Sequence, residues 1–356
     1  MAHRIYGIQQ IGLGTSNFAK THQWYIDNLG FDAKIFEDNT VAELMLPYTG
    51  GEPHQRRAGL AMNLQGGSGL EIWQYKDRTP EPPHIFVQLG DFGIFAAKVK
   101  CLNIDAAYKH LTNNGVKPLS LPIPNPVGTP HFFVADPAGN LIDVVEEPSM
   151  YQNMRQPTSG ICGAIVGVSN IDDSMRLYSG ILGYDKVVYD TQGASEDFFG
   201  LPGGGEKTRR VLLTHSEPRR GGFSKLFGAS YIELVQCLDR RPQKIFKNRL
   251  WGDIGFIHLC FDIKNMAELE STCNAKGFPF TVDSNVKGRF DMGDAAGHFT
   301  YIEDPDGTLI EFVETYKVPL IKALGINLNM EKKSADANIP NWIIRLLKLK
   351  RAKKAV

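Results

Sequence analysis

Residues 304–314 read DPDGTLIEFVE, and residues 136–146 read DPAGNLIDVVE. In both, Asp-Pro-x-Gly reads as a tight hairpin turn, because proline suits the second turn position and glycine accepts positive φ. In both, an apolar strand follows (Leu309–Val313 and Leu141–Val145), interrupted by one acid, Glu311 or Asp143. A second repeat lies upstream. Asn17 opens a stretch that runs through Trp24-Tyr25 to Leu29-Gly30-Phe31; Asn170 opens one through Leu177-Tyr178 to Leu182-Gly183-Tyr184. The chain therefore reads as two similar halves joined near Pro148–Thr158.

Each half divides again. A strand, an asparagine and an amphipathic helix occur four times. The strands are Tyr6–Leu13, Phe95–Val99, Ala164–Val168 and Phe256–Phe261, and the helices follow Asn17, Asn103, Asn170 and Asn265. Asparagine is a strong N-cap, since its side-chain oxygen accepts the free amide hydrogens of a first turn. The second helix (Asp105–Asn114) and the fourth (Met266–Ala275) stop at Gly115 and Gly277, where a left-handed residue closes a helix. Short β-patterned stretches come next; in the first module they are Ala33–Glu37, Val41–Leu46, Gly59–Leu64 and Leu70–Tyr75. The expected fold is α+β: βαβββ modules at 4–76, 92–147, 160–238 and 253–316, grouped as tandem domains 1–150 and 158–318, with curved mixed sheets. Residues 319–356 are expected to form a linker and a C-terminal helix.

The repeat unit resembles the vicinal-oxygen-chelate superfamily, which includes glyoxalase I, extradiol dioxygenases, methylmalonyl-CoA epimerase and bleomycin-resistance proteins. The Leu-Gly-aromatic helix ends and the segment Asp304–Glu314 carry the resemblance most specifically, and it covers residues 4–316. It implies that paired modules curl their sheets around one metal, with one ligand from the first and one from the last strand of each module.

Counting seven residues back from each helix-start asparagine gives Gln10, Ala96, Gly163 and His258; the last-strand acids align as Glu71, Asp143, Glu233 and Glu311. An acid flanked by apolar residues in a buried strand is costly unless it is paired or holds a metal. Pairing modules within each half gives two incomplete ligand sets. Pairing the first with the fourth gives Gln10, Glu71, His258 and Glu311; pairing the second with the third gives Ala96, Asp143, Gly163 and Glu233, without first-strand ligands. Cross pairing thus concentrates the chemistry in one site and leaves a relic. The Gln/Glu/His/Glu set is similar to that of eukaryotic-type glyoxalase I. Such a set suits one divalent ion: zinc, nickel, manganese, cobalt or iron. The resemblance implies a Lewis acid for proton abstraction beside vicinal oxygens, with Glu311 the preferred base and Glu71 the second. Taken singly, His258 reads equally well as a core histidine, and Gln9 beside Gln10 leaves room for a one-residue slip.

Positions two along from a ligand share its face of the sheet, which places Trp73, Tyr75 and Cys260 toward the cavity as a substrate wall, or as plain core. His298, in the Gly297-His298-Phe299 stretch, is a further pocket candidate; His54, His84, His131 and His215 have no repeat equivalents. Gly14 stands where glyoxalase I has an arginine for the glutathione carboxylate, and the family's glutathione-contacting asparagine falls near Tyr75, so glutathione is not expected as cosubstrate. The runner-up readings are an extradiol-type dioxygenase, which needs two histidines and a carboxylate around iron, and a non-catalytic binding or resistance protein.

Composition bounds the rest. With 39 basic and 39 acidic residues there is no global charge to attract nucleic acid, and no apolar run approaches the roughly 20 residues that span a bilayer. Five widely spaced cysteines fit free thiols in a reducing cytoplasm. The neutrality is a cancellation: residues 342–356 hold six Lys/Arg and no acid, leaving a body of net charge −6. Ile339, Trp342, Ile343, Leu346 and Leu349 (or Leu347) fall on one helical face, and Pro340 fits its first turn. The tail is expected to dock on the protein itself rather than on an anionic membrane surface. The expected assembly is a monomeric pseudo-dimer, or a homodimer, acting on a small molecule.

Overall fold

The computed structural model describes residues 2–287, 290–291, 296–321 and 326–352. The first module comprises β1 (Arg4–Gly14), α1 (Phe18–Leu29), β2 (Ala33–Ala42), β3 (His54–Met62) and β4 (Gly69–Tyr75). The second comprises β5 (Gly93–Cys101), α2 (Ile104–Asn113), β6 (Ile123–Pro124), β7 (Pro130–Ala135) and β8 (Leu141–Glu146). The third comprises β9 (Thr158–Gly167), α3 (Ile171–Tyr178), β10 (Lys186–Gly193), β11 (Thr208–Thr214), the short α4 (Ser224–Phe227) and β12 (Tyr231–Cys237). The fourth comprises β13 (Gly255–Lys264), α5 (Met266–Lys276), β14 (Val282–Asp283), β15 (Phe290–Asp291), β16 (Ala296–Glu303) and β17 (Leu309–Ile321); β18 (Ile326–Asn329) and α6 (Asn341–Leu346) follow.

The modules combine across the halves. One sheet has the order β14-β16-β17-β13-β1-β4-β3-β2 and joins modules four and one; the other has the order β10-β11-β12-β9-β5-β8-β7-β6 and joins modules three and two. In each module the first strand runs parallel to the last, as β1 does with β4 and β13 with β17. The two first strands of a sheet meet antiparallel, β1 with β13 and β5 with β9. Four modules thus give two curved mixed sheets. A single apolar core carries one face of both sheets together with the inward stripes of the helices, including Phe18, Tyr25 and Leu29 of α1 and Leu177 and Tyr178 of α3. The other face of each sheet has its own cluster, around Trp73 and Trp251 in the first and around Phe133 and Phe198 in the second.

Helix starts follow one device that extends the expected caps. Asn17, Asn103 and Asn170 accept first-turn amides with their side chains. A last-strand side chain adds a second acceptor: Gln74 for Phe18 N (2.9 Å), Glu146 for Ile104 N (2.8 Å), Gln236 for Ile171 N (3.3 Å) and Glu314 for Met266 N (3.0 Å). Asn265 departs from the expectation. It is left-handed (φ 69°) and makes no side-chain cap; Glu314 takes both Asn265 N and Met266 N, and the Asn265 amide donates to Ala2 O instead. Gly30 closes α1 at φ 71°, a conformation that a side chain resists.

Three further expectations are corrected. Val41–Leu46 is not a separate strand. Polar residues 37–40 stay within β2 because this edge strand is ion-paired to β3, Arg57 with Glu37 and Arg56 with Asp38, and Pro47 then opens a 3-10 turn over Leu46–Tyr48. Residues 319–321 and 326–329 are not plain linker, since β17 continues to Ile321 and pairs with β18. The tail helix is shorter than drawn: α6 ends at Leu346 and a 3-10 turn spans Leu347–Lys350. It packs on the protein's own first module and α4 through Ile339, Ile343 and Ile344, against Ala33, Met62, Leu64 and Phe227. Arg351 clamps Asp32 (2.6 Å). Trp342 and Leu349, expected on the packed face, are 62% and 82% exposed, because the inward stripe runs through Ile343, Ile344 and Leu347. Lys353 and Lys354 lie outside the described residues.

Candidate metal centre

The β1–β13 seam builds the site. A register shift between Ile8 and Gln10 makes two β1 residues face one on β13 and separates the two glutamines that the sequence left in competition. Gln9 turns to Asp262 (3.4 Å), while Gln10 Nε2 donates to Glu71 Oε2 (3.3 Å) and Glu311 Oε2 (3.4 Å). Opposite His258 in the ladder stands Gly12, where a Cβ would overlap the imidazole. His258 Nε2 lies 3.1 Å from Glu311 Oε2 and 3.4 Å from Glu71 Oε2. Ligand atoms of Glu71, His258 and Glu311 all fall within 4.8 Å of one another.

Two buried atoms at this centre lack hydrogen-bond partners among the described residues: Gln10 Oε1 and His258 Nε2. Both are lone-pair donors to a metal, and they sit beside two carboxylates at the meeting point of two modules. A buried Glu311 and a partly buried Glu71 against one imidazole are balanced better by a further positive charge. The protein without an ion makes the same point. Burial opposes a charge on His258, yet Glu311 and then Glu71 raise it to about 9. The donor set of oxygens and one imidazole therefore fits a divalent ion.

The surroundings hold the imidazole in place. Tyr301 Oη stands 3.4 Å from His258 Nδ1, and burial, reinforced by Glu311, keeps the phenol protonated. The Trp251 ring lies parallel to His258 (8°, 6.1 Å between centroids). Its backbone is fixed by Tyr48 O (2.9 Å) and by the Tyr75 hydroxyl. Trp73 packs edge-on against both Trp251 (4.6 Å) and Tyr75 (4.7 Å). Of the expected wall, the structure brings Trp73, Tyr75 and Cys260 to the ligands' side; Cys260 pairs in register with Gln10 and Glu311. His298 is not brought there. It has the parity opposite to Tyr301 on β16, and its Nε2 meets Asp283 Oδ1 at 2.5 Å. At Gly14 a Cβ would overlap Asp253 O, so no side chain fits where a glutathione-binding arginine would stand.

Sequence reasoning missed Tyr301 and Trp251. Tyr301 was accessible, because a hairpin closed by Asp304–Thr308 sets 301 opposite 311. Trp251 lies in a connection between modules and carries no periodic signal.

The second sheet holds the counterpart positions, and they are filled by charge. Lys98 Nζ contacts Asp143 (2.6 Å) and Glu233 (2.8 Å); His131 joins Asp143 (2.8 Å) to Asp197 (3.2 Å); Arg210 binds Asp197 (2.8 Å) and Glu233 (2.6 Å).

The sequence profile of the Glyoxalase/Bleomycin resistance protein/Dioxygenase superfamily matches residues 7–144. A putative dioxygenase from Bacillus subtilis has a similar fold, with a TM-score of 0.59 and 14% identity over 87% of this chain and 86% of that one. Glyoxalase I from Zea mays is similar too, with a TM-score of 0.54 and 12% identity over 88% of this chain and 92% of that one. At these identities the likeness is one of fold. No curated protein matches by sequence. Among the described residues, no helix is long and apolar enough to cross a membrane.

Proposed function

We propose that this chain, whose residues 7–144 match the glyoxalase/bleomycin resistance protein/dioxygenase superfamily, is a divalent-metal enzyme of glyoxalase type. Its reaction would be proton transfer, of isomerase or lyase kind, on a small substrate with vicinal oxygens. The carrying observation is the convergence of Gln10, Glu71, His258 and Glu311 with two unpartnered lone-pair atoms among them. An ion held by these four (zinc, nickel, manganese, cobalt or iron) would supply Lewis acidity toward the substrate oxygens.

The chain's own residues do the rest. Glu311 is the proton acceptor, with Glu71 next in line; both carboxylates reach the same point as His258. Tyr301 and Trp251 fix the imidazole. Trp73, Tyr75 and Trp251 form a wall that excludes water and favours an apolar or aromatic substrate. An iron dioxygenase of the two-histidine, one-carboxylate kind has less support, because the four positions supply one imidazole. The five free, buried cysteines accord with the cytoplasm, and a single chain carries all four ligands, so a monomer suffices.

The test is solvent exchange. The metal-loaded protein is incubated in deuterium oxide with a panel of α-hydroxy ketones and α-keto aldehydes, and proton resonance follows the carbon-bound hydrogen next to the carbonyl. The wild type is expected to wash out that hydrogen, and Glu311→Gln to slow it at least ~100-fold. Metal-independent exchange, or exchange unchanged in Glu311→Gln, contradicts the reading.

A further inference from the structure

The second sheet repeats the metal centre with one substitution. Asp143 and Glu233 occupy the repeat positions of Glu311 and Glu71, and the ammonium of Lys98 stands between them. We propose that Lys98 is the built-in replacement for a second metal ion, making this centre a metal-free staple between the two halves of the chain. The proposal extends the reading of the first centre as a metal site, and it has its own test.

Four observations carry it. Lys98 Nζ is the bridging cation, 2.6 Å from one carboxylate and 2.8 Å from the other. Among the described residues Glu233 Oε2 has no partner besides Lys98, so the ammonium alone balances that oxygen. Gly163 faces Lys98 across the β5–β9 ladder, just as Gly12 faces His258 across β1–β13. At Gly163 itself, the counterpart of His258, a Cβ would overlap Tyr231 O, so a ligating side chain has no room there.

The charge count points the same way. Lys98, Arg210 and a protonated His131 meet Asp143, Asp197 and Glu233, leaving no net charge to draw in a cation. The participants also come from both halves, with Lys98, His131 and Asp143 from the second module and Asp197, Arg210 and Glu233 from the third. An ion at the first centre would bridge the halves in the same way, through Gln10 and Glu71 on one side and His258 and Glu311 on the other. The staple keeps the halves together whether or not that ion is bound.

The experiment uses the full chain carrying Glu311→Gln, with zinc as the probe, and reads bound zinc by equilibrium dialysis and the thermal midpoint with and without EDTA. The Glu311→Gln parent is expected to bind no zinc tightly. Adding Lys98→Ala is expected to lower the midpoint in EDTA by ~5–10 °C, because two buried carboxylates lose their cation. It is also expected to restore about one zinc per chain, with zinc recovering most of the lost midpoint. Lys98→Gln, a smaller change of volume, is run in parallel and is expected to behave likewise if the alanine variant does not accumulate. Lys98→Arg keeps the charge and should take up no zinc. If neither neutral variant gains zinc, or if zinc does not raise their midpoint, the proposal is overturned. Failure of the first centre shows separately, as unchanged zinc content on introducing Glu311→Gln into the wild type.

Discussion

At the scale of single residues, the centre depends on groups that never touch an ion. Tyr301 holds His258 from behind at 3.4 Å. Partners of this kind set the orientation and basicity of a ligating imidazole, and losing one weakens metal affinity by ~10–100-fold. Tyr301→Phe should show that loss in zinc competition titrations, with the fold intact by circular dichroism; an unchanged affinity would remove Tyr301 from the account. Gly12 is equally particular, since a Cβ there overlaps the His258 ring. Gly12→Ala should therefore displace the imidazole and abolish tight zinc binding; retained binding would show that the ladder can give way. The four candidate ligands were legible as candidates because the repeat supplies a ruler: seven residues back from an asparagine for Gln10 and His258, the acid after the Asp-Pro-x-Gly turn for Glu311, and the apolar context shared with Glu233 for Glu71. Lys98 was not, although it lies two residues beyond Ala96 on the same face. A lysine within an apolar strand announces a buried partner only when the facing strand is known, and the partner Glu233 lies in the other half of the chain.

At the scale of elements, the modules repeat a connection as well as a ligand. Three residues beyond each last-strand acid stands a side chain that accepts the first amide of the module's own helix: Gln74, Glu146, Gln236 and Glu314. Ligand and helix start are thus fixed by one short segment, so tilting the strand would move both. In the fourth module this acceptor replaces the asparagine cap altogether. Glu314→Ala should cost about 1–2 kcal/mol in urea unfolding, the scale of a lost cap. Asn265→Gly, which keeps the left-handed backbone, should cost much less, because the Asn265 side chain makes no cap; equal costs would return the capping role to Asn265. The asparagine pattern identified where the four repeated helices, α1, α2, α3 and α5, begin. It misassigned one cap because local sequence does not reveal that Asn265 adopts φ 69° and that a carboxylate from β17 arrives at the same amides. The edge strand β2 was split for a similar reason: its polar middle reads as a turn until Arg56 and Arg57 of β3 are seen beside it.

At the scale of the whole molecule, the two sheets divide the work. One gathers unpaired lone pairs, and the other closes a charge network. The network has a pH signature. Burial disfavours a charged His131, but Asp143 and then Asp197 outweigh it and raise the group to about 9. Its folded value exceeds the ordinary ~6.5 of an unfolded histidine. The stability it contributes is therefore complete below ~6.5 and is lost as pH rises through about 9. Between pH 6.5 and 9.5 the thermal midpoint of the wild type should fall by more than that of His131→Gln; parallel curves would mean that His131 carries no such linkage. The module count and the fold class were readable from the repeated strand, asparagine and helix, and the cross pairing because the first and fourth modules alone hold a complete ligand set between them. The filling of the second centre was not readable, since it depends on side chains from six strands and turns that have no common spacing.

Gln10, Glu71, His258 and Glu311 are proposed to assemble one metal centre across the halves. X-ray absorption on the zinc-loaded protein, with the ion counted on the same sample, tests it most directly. One ion per chain is expected, in a shell of oxygen with a single imidazole and no sulfur, and it is expected to be lost in His258→Ala. Two ions per chain, a shell with sulfur or several imidazoles, or an ion retained in His258→Ala would contradict this assembly.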